Sequence, residues 1–262
     1  MIKVNHGPLQ LFQFENLNNF PGIRHAVTTR HGGISEGYAD SLNLGLGVDD
    51  RLSYVEENRR RLAEYMGVPL EKLIFQKQTH STNYKIITSK NYKDFHDNND
   101  ALITAEKGIA IASLGADCVP VLLYDPVNEV IAAVHSGWKG TVNGITRIVV
   151  DAMRTEFNTK PQDIIAGIGP SICSSNYEVG PEVVEAFEKS FPKSPELISN
   201  RNGDKAHVDL WKANETWLMN EGVQKSNIEI SGLCTYDHPE LFFSARYFKN
   251  KTGRFGACIV LK

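Results

Sequence analysis

Cysteine is scarce in this chain. There are four thiols in 262 residues, Cys118, Cys173, Cys234 and Cys258, with no Cys-x-x-Cys pair and no tight spacing. This excludes a disulfide-framed scaffold and predicts reduced thiols in a cytoplasmic protein. An excess of either charge is also lacking. The 28 Lys+Arg against 31 Asp+Glu, a formal charge of −3, offer no basic footprint for nucleic acid and no charge block for a membrane surface. No apolar run approaches the ~20 residues of a membrane span. The first residues, Met1-Ile2-Lys3-Val4-Asn5-His6-Gly7, lack an apolar core, so no secretory leader is expected. Repeats, low-complexity tracts and linkers are absent too. With 41% hydrophobic and 23% charged residues, the chain is not a largely disordered one.

What is present is patterned for a mixed fold. Ser53 can cap a helix over 53–66, with Glu56 completing a capping box, Gly67 stopping it, and Val55, Leu62, Tyr65 and Met66 on the buried side. Asn58 and Arg59 flank that stripe. Ile145, Ile148, Val149, Ala152, Met153 and Phe157 recur at helical spacing within 141–157. Pro181 opens a third helix bearing Val183, Phe187 and Phe191. A fourth is predicted over 209–220, with Leu210, Trp217 and Leu218 inside and Gly222 beyond its end. Short apolar runs at 108–113, 119–124, 130–135, 164–168, 228–231 and 255–260 predict strands. The segments 89–100 and 192–204 read as surface loops. Strands come in groups rather than alternating with helices, which favours α+β over a doubly wound fold.

Reactive side chains gather at strand ends, in Gln78-Thr79-His80, in Ala116-Asp117-Cys118-Val119-Pro120 and in His135-Ser136-Gly137-Trp138-Lys139-Gly140. Asp125-Pro126-Val127-Asn128 reads as a turn, so the strands on either side should pair antiparallel. Cys118 precedes the first strand and His135 ends the second, which brings a thiol and an imidazole to the same end of the sheet. Such a pair can act as a nucleophile and its base. With His80 it can instead supply three of zinc's four tetrahedral positions and leave one open, as catalytic sites do. The plain alternative is a small buried thiol beside a core histidine.

Taken in order along the chain, these segments resemble one family, the YfiH/YlmD type of laccase-domain (polyphenol oxidase) proteins. The resemblance is carried by Thr28-Thr29-Arg30-His31-Gly32-Gly33, Ser41-Leu42-Asn43-Leu44-Gly45, Glu57-Asn58-Arg59-Arg60, the three segments above, Ile168-Gly169-Pro170-Ser171-Ile172, Tyr177-Glu178-Val179-Gly180, Phe243-Ser244-Ala245-Arg246 and Thr252-Gly253-Arg254. It implies a single α+β domain over 1–262, with a mixed, largely antiparallel sheet flanked by helices. It also implies Zn²⁺ on His80, Cys118 and His135, which would be both the metal ligands and the catalytic residues. The implied activity is phosphorolysis of adenosine, inosine and S-methyl-5′-thioadenosine, with adenosine deamination as a second activity. Asn43 and Arg59, with Arg246 and Lys139 as further candidates, are expected to anchor phosphate or ribose, and Asp117 to orient a ligand. Lys139 replaces the family's usual Arg and loses its bidentate fork. Purine nucleosides and phosphate are the expected partners, with no nucleic acid or membrane, in a monomer or homodimer.

Two rivals remain. A multicopper oxidase is disfavoured, because the chain has no His-x-His pair and only eight histidines. A metal-free Cys–His hydrolase acting on amide or peptide bonds of cell-wall precursors would use the same Cys118 and His135.

Overall fold

A computed structural model of the chain describes residues 1–94 and 96–262. Phe95, inside the loop expected at 89–100, lies outside the described residues. In chain order the elements are β1 (Ile2–His6), β2 (Leu9–Gln13), α1 (Glu15–Asn18), β3 (Ile23–Thr28), α2 (Leu52–Met66), β4 (Leu73–Phe75), β5 (Tyr84–Ile86), β6 (Ala101–Thr104), β7 (Ala110–Gly115), β8 (Val119–Asp125) and β9 (Val130–Ser136). They continue as α3 (Trp138–Val142), α4 (Ile145–Phe157), β10 (Ile165–Ile168), β11 (Glu178–Val179), α5 (Pro181–Ser190), β12 (Ile198–Asn202), β13 (Lys205–Val208), α6 (Leu210–Asn220), β14 (Ile228–Ile230) and β15 (Phe255–Leu261).

The expected sheet is two six-stranded sheets, ordered β1-β2-β3-β15-β7-β4 and β14-β10-β8-β9-β6-β5, with a three-stranded β11-β13-β12 beside them. Only the β4–β7, β5–β6 and β10–β14 pairs are parallel among the described residues, so the mixed, largely antiparallel character holds. The layering follows from period-2 alternation. On β8, Val121 and Leu123 face Val149, Met153 and Phe187, while Leu122 packs with Ile111, Ile131 and Ile259 between the two sheets. A third apolar layer joins Leu62, Ala63 and Met66 of α2 to Ala110, Ala112 and Val260 on the far side of the first sheet. The order is therefore helix, sheet, sheet, helices. Strands β8 and β9 are buried on both faces, which is why they read as unbroken apolar runs. Among the described residues no helix is long and apolar enough to cross a membrane.

Several expected boundaries shift. Helix α2 begins at Leu52 with Arg51 in the cap position, and no side chain accepts from its first turn. Asp50 Oδ1 instead accepts the Arg51 N–H at 2.8 Å, so Ser53 lies inside the helix and the capping box is not formed. Gly67 does end it, with φ 74°. The helix expected over 141–157 is two, because Gly144 takes φ 74° and breaks the run between α3 and α4. The presumed loop 192–204 contains β12, which turns at Gly203 (φ 58°) and pairs with β13. Its Asn202-Gly203 pair is a hairpin signal rather than loop punctuation.

Asn58 points inward from α2 and is fully buried. Its Oδ1 accepts the Ile34 N–H at 2.9 Å, and its Nδ2 donates to Ser35 Oγ (2.9 Å) and to the Ser41 and Asn43 carbonyls (3.1 and 2.9 Å). One amide thus ties the 34–43 loop to the helix. Asn58→Ala strands several buried polar groups at once and is expected to cost about 3 kcal/mol. Urea denaturation should show a lower midpoint at unchanged slope.

Candidate active site

The β8–β9 hairpin is the frame of the site. Val119 pairs with Ser136 and Pro120 with His135, so Cys118 sits at the strand entrance facing the His135–Gly137 segment. His80 reaches the same place from the loop after β4. Gln78 clasps that loop to β7, donating to the Leu114 carbonyl at 2.8 Å and accepting its N–H at 2.7 Å. The ligand atoms of His80, Cys118 and His135 all lie within 4.8 Å of one another. His80 Nε2 is 3.7 Å from Cys118 Sγ, and the two imidazole rings meet edge-on with centroids 5.0 Å apart. His80 is exposed, Cys118 half-buried and His135 buried, so the cluster opens to solvent on one side.

Two positions in these segments have backbone in the left-handed region. His80 itself has φ 58°, and Asp117, just before Cys118, has φ 91°. Such conformations persist only where surrounding bonds over-determine them. For His80 the support is Asp100, a fully buried carboxylate at the end of the presumed surface loop. It accepts the backbone N–H groups of Thr79, His80 and Ser81 at 3.2, 3.0 and 2.6 Å and the Ser81 hydroxyl at 2.7 Å. It also accepts from His135 Nδ1 at 2.8 Å. That bond orients the imidazole with Nε2 turned to the cluster, as ligating histidines are commonly held.

The expected role of Asp117 is therefore corrected. Its carboxylate accepts from Thr235 Oγ1 at 2.6 Å and from the Arg246 N–H at 2.7 Å, and it holds the cavity wall rather than a histidine. The sequence does not mark Asp100, because an acidic residue ending a polar run looks like a loop tip.

Electrostatics couple the three groups. Burial by itself raises the Cys118 thiol, but His135 and His80 outweigh it and draw the thiol well below its ordinary value. Burial lowers His135, and Cys118 with Asp100 more than reverse this, leaving the imidazole above its ordinary value. The pair is drawn toward thiolate and imidazolium; an electrophile meets the thiolate directly, and a metal takes the imidazole nitrogen as its proton leaves.

Gly137 makes room for the cluster. A Cβ there would meet His80 Cδ2 at 2.7 Å and Cys118 Sγ at 3.1 Å. Gly137→Ala should push His80 aside and weaken metal retention about tenfold or more, the scale seen when groups supporting a ligand are disturbed. Metal content after dialysis, compared with an unchanged thermal midpoint, checks this.

Beside Cys118 lies a cavity of about 310 Å³ lined by Asp117, Cys118, Ile172, Tyr177, Arg246 and Lys249 among others. Arg246 lies 5.3 Å from the centre of the Tyr177 ring and donates to the Asn176 and Glu178 carbonyls at 3.4 and 3.1 Å. Of the four expected anchors, Arg246 alone lines this cavity. Lys139 is exposed and lies over the Trp138 ring. Arg59 packs 4.0 Å over Phe75 and donates twice to the Leu44 carbonyl, at 2.9 and 2.7 Å. Asn43 is fully buried, and its amide is occupied by Gly45, Asp50 and the Arg254 N–H. Asn43 and Arg59 thus brace the 42–45 loop, a role that sequence spacing does not distinguish from ligand binding. Tyr177 and Lys249 line the cavity as well, and no local pattern in the sequence marks either as a site residue. A wider depression of about 630 Å³, lined by Asn83, Tyr84, His96 and Asn98 among others, contains none of the trio.

Comparison with known proteins matches this geometry to a family. A family model described as multi-copper polyphenol oxidoreductase laccase covers residues 24–262. A purine nucleoside phosphorylase of Bacteroides thetaiotaomicron is 40% identical over 260 residues, covering 96% of each chain. An adenosine deaminase named RL5, from an unknown prokaryotic organism, is 35% identical, covering 94% of this chain and 97% of that one. The crystal structure of YlmD from Geobacillus stearothermophilus superposes with a TM-score of 0.92 at 33% identity, covering 100% of this chain and 99% of that one. The match over nine-tenths of the chain, in sequence and in fold, shows that this protein belongs to the laccase-like YfiH/YlmD family.

Proposed function

We propose that the protein is a zinc-dependent purine nucleoside phosphorylase acting on adenosine, inosine and S-methyl-5′-thioadenosine, with adenosine deaminase as a second activity. The observation that carries this reading is the convergence of His80, Cys118 and His135 at the rim of a cavity that also presents Tyr177, Arg246 and Lys249. Relatives named purine nucleoside phosphorylase and adenosine deaminase support the same reaction classes. Residues 1–262 are proposed to work as one domain, as a monomer or homodimer, in the cytoplasm, where its four free thiols stay reduced.

The donor set fits zinc. One thiolate and two imidazoles supply three tetrahedral positions, the exposed His80 side leaves the fourth open, and Gly137 keeps the space between them clear. Bound there, Zn²⁺ supplies Lewis acidity at the open position. The copper of the family's description suits the chain less well. A multicopper oxidase needs a second, histidine-rich cluster. Among the described residues the other group of close ligand types is Cys173, Cys234 and Asp237, with no histidine.

The chain's own residues supply the rest. Tyr177 offers an aromatic face for the purine. Its phenol is held protonated by burial and by the Cys118 and Asp117 charges. Arg246 and Lys249 place positive charge where phosphate must approach. In phosphorolysis a phosphate oxygen bonds to ribose C1′ as the bond from C1′ to the purine nitrogen breaks, and the bonding electrons leave with the base. Donors aimed at that developing charge lower the barrier. Purified protein is expected to release hypoxanthine from inosine only when phosphate is present, and ammonia from adenosine without it. Chelation should suppress both. Phosphate-independent release of base, or full turnover in metal-free protein, overturns the reading.

One observation favours a second reading, a Cys–His hydrolase. The Cys118 thiol is depressed beside two imidazoles. Activity on amide bonds of cell-wall precursors that is indifferent to chelators but lost on Cys118 alkylation would select it.

A further inference from the structure

We propose that Cys173, Cys234 and Asp237 form a second metal site, for a soft divalent cation of the Zn²⁺ class, which clamps the wall of the cavity beside Cys118. The site is independent of the reaction proposed above and uses none of its residues.

The geometry is built by the parallel β10–β14 pair. The chain leaving β10 and the chain leaving β14 stay together beyond the sheet, where Ser171 and Cys234 form a parallel bridge. This register brings the Cys173 N–H to 3.2 Å from Cys234 Sγ. Asp237, three residues after Cys234, turns back so that Oδ2 lies 3.6 Å from Cys173 Sγ. The three ligand atoms all fall within 4.8 Å of one another. A sulfur at about 2.3 Å and a carboxylate oxygen at about 2.1 Å, at a tetrahedral angle around zinc, stand about 3.6 Å apart. The separation observed between the thiol and the carboxylate therefore needs no rearrangement to receive the ion.

Two sulfurs and a carboxylate converge on one point, beside the Asn176 amide, the Cys173 N–H and the Ser175 hydroxyl, which lies 3.0 Å from Cys173 Sγ. Asn176 Nδ2 lies 3.2 Å from Cys173 Sγ, 3.5 Å from Cys234 Sγ and 2.7 Å from Asp237 Oδ1. With both thiols ionised, the two sulfurs and the Asp237 carboxylate bring three negative charges together, and a cation bound to both sulfurs and to Asp237 Oδ2 neutralises them, while Asn176 continues to donate to Oδ1. Uptake is balanced as one Zn²⁺ bound and the two thiol protons released to solvent. Cys234 is buried, Cys173 half-buried and Asp237 exposed, so the ion can enter from the Asp237 side, and water completes the fourth position.

The consequence is mechanical. The Cys173 loop leads into Tyr177, and the Asn176 carbonyl accepts from Arg246. The Cys234 loop carries Thr235, which donates to Asp117 beside Cys118. An ion joining the two loops fixes both sides of the cavity wall.

The test uses full-length protein stripped of metal under reducing conditions, in a Cys118→Ala background so that the first cluster does not contribute. Titration with Co²⁺ is expected to give a thiolate-to-cobalt charge-transfer band saturating at one ion per chain, with Zn²⁺ displacing it. Adding Cys173→Ser should abolish the band, and adding Asp237→Asn, at an exposed position, should weaken binding about tenfold or more. In the unsubstituted protein, zinc measured by elemental analysis should fall from two ions per chain to one with Cys173→Ser. Absence of any band in folded Cys118→Ala protein overturns the proposal. So does its persistence after Cys173→Ser, or a zinc content of one per chain unaffected by that substitution.

Discussion

Replacing Cys118 with alanine is expected to strip the first cluster of metal and reduce nucleoside turnover by on the order of 10³-fold or more. The reasoning is chemical. Cys118 is the one anionic donor of the trio, and it stands between two imidazoles that pull its thiol toward thiolate. Without it the remaining set is two neutral histidines, His80 exposed and free to move away. A Lewis-acid contribution of several kcal/mol disappears, and each 1.36 kcal/mol is about a factor of ten in rate. Stability should change little, because Cys118 is half-buried and its loss opens no core cavity. Elemental analysis, product chromatography from inosine with and without phosphate, and a urea melt separate these effects. Full metal content at this cluster together with full turnover sinks the proposed function.

Asp100→Asn is the second large effect, and it should act on fold and site together. The wild-type carboxylate accepts from three consecutive backbone N–H groups, a hydroxyl and the His135 imidazole. An amide of the same shape presents hydrogens to some of those donors. It leaves His80 in its left-handed conformation with less to hold it, and it frees His135 to rotate. Breaking a buried charged network by altering one partner costs about 3–5 kcal/mol. Metal affinity should fall about 10- to 100-fold, as when a group orienting a ligating histidine is removed.

The pH dependence supplies an independent check. Burial pushes Asp100 up, but the bonds from His135 and Ser81 prevail and bring it down to about 2, below its ordinary value of 3.8. A depressed carboxyl contributes stability that is fully present above its unfolded value and is lost as pH falls toward its folded one. The wild type should therefore lose about 2 kcal/mol between roughly pH 4 and 2 through this group. Asp100→Asn should be less stable at neutral pH and should lack that part of the acid slope. An unchanged slope would mean that Asp100 is not charged in the folded protein.

The sequence by itself determined the parts that depend on local pattern. Unbroken apolar runs at β8 and β9, with the Asp125-Pro126-Val127-Asn128 turn between them, identified a hairpin. The hairpin placed Cys118 and His135 at one end of a sheet, where the structure has them. Helical spacing identified α5 and α6, and Asp209 caps the latter by accepting the Lys212 N–H. Elements were missed where the signal was too short or too exposed, as in the three-residue β4 and β5. Strand β1, with exposed residues at most of its positions, shows no clean alternation.

Tertiary structure alone decided which side chains meet at the site. The Asp117 carboxylate is held by residues 118 and 129 positions away, and the Asp100–His135 bond spans 35. No periodicity encodes such closures, because they depend on how two sheets stack and where their loops emerge. For the same reason the sequence puts Arg59 ahead of Arg246 as a candidate anchor. Arg59 stacks on Phe75 and braces the 42–45 loop, and Arg246 lines the cavity beside Cys118. Residue type sets what chemistry a side chain can do, and packing of distant segments sets where that chemistry is presented.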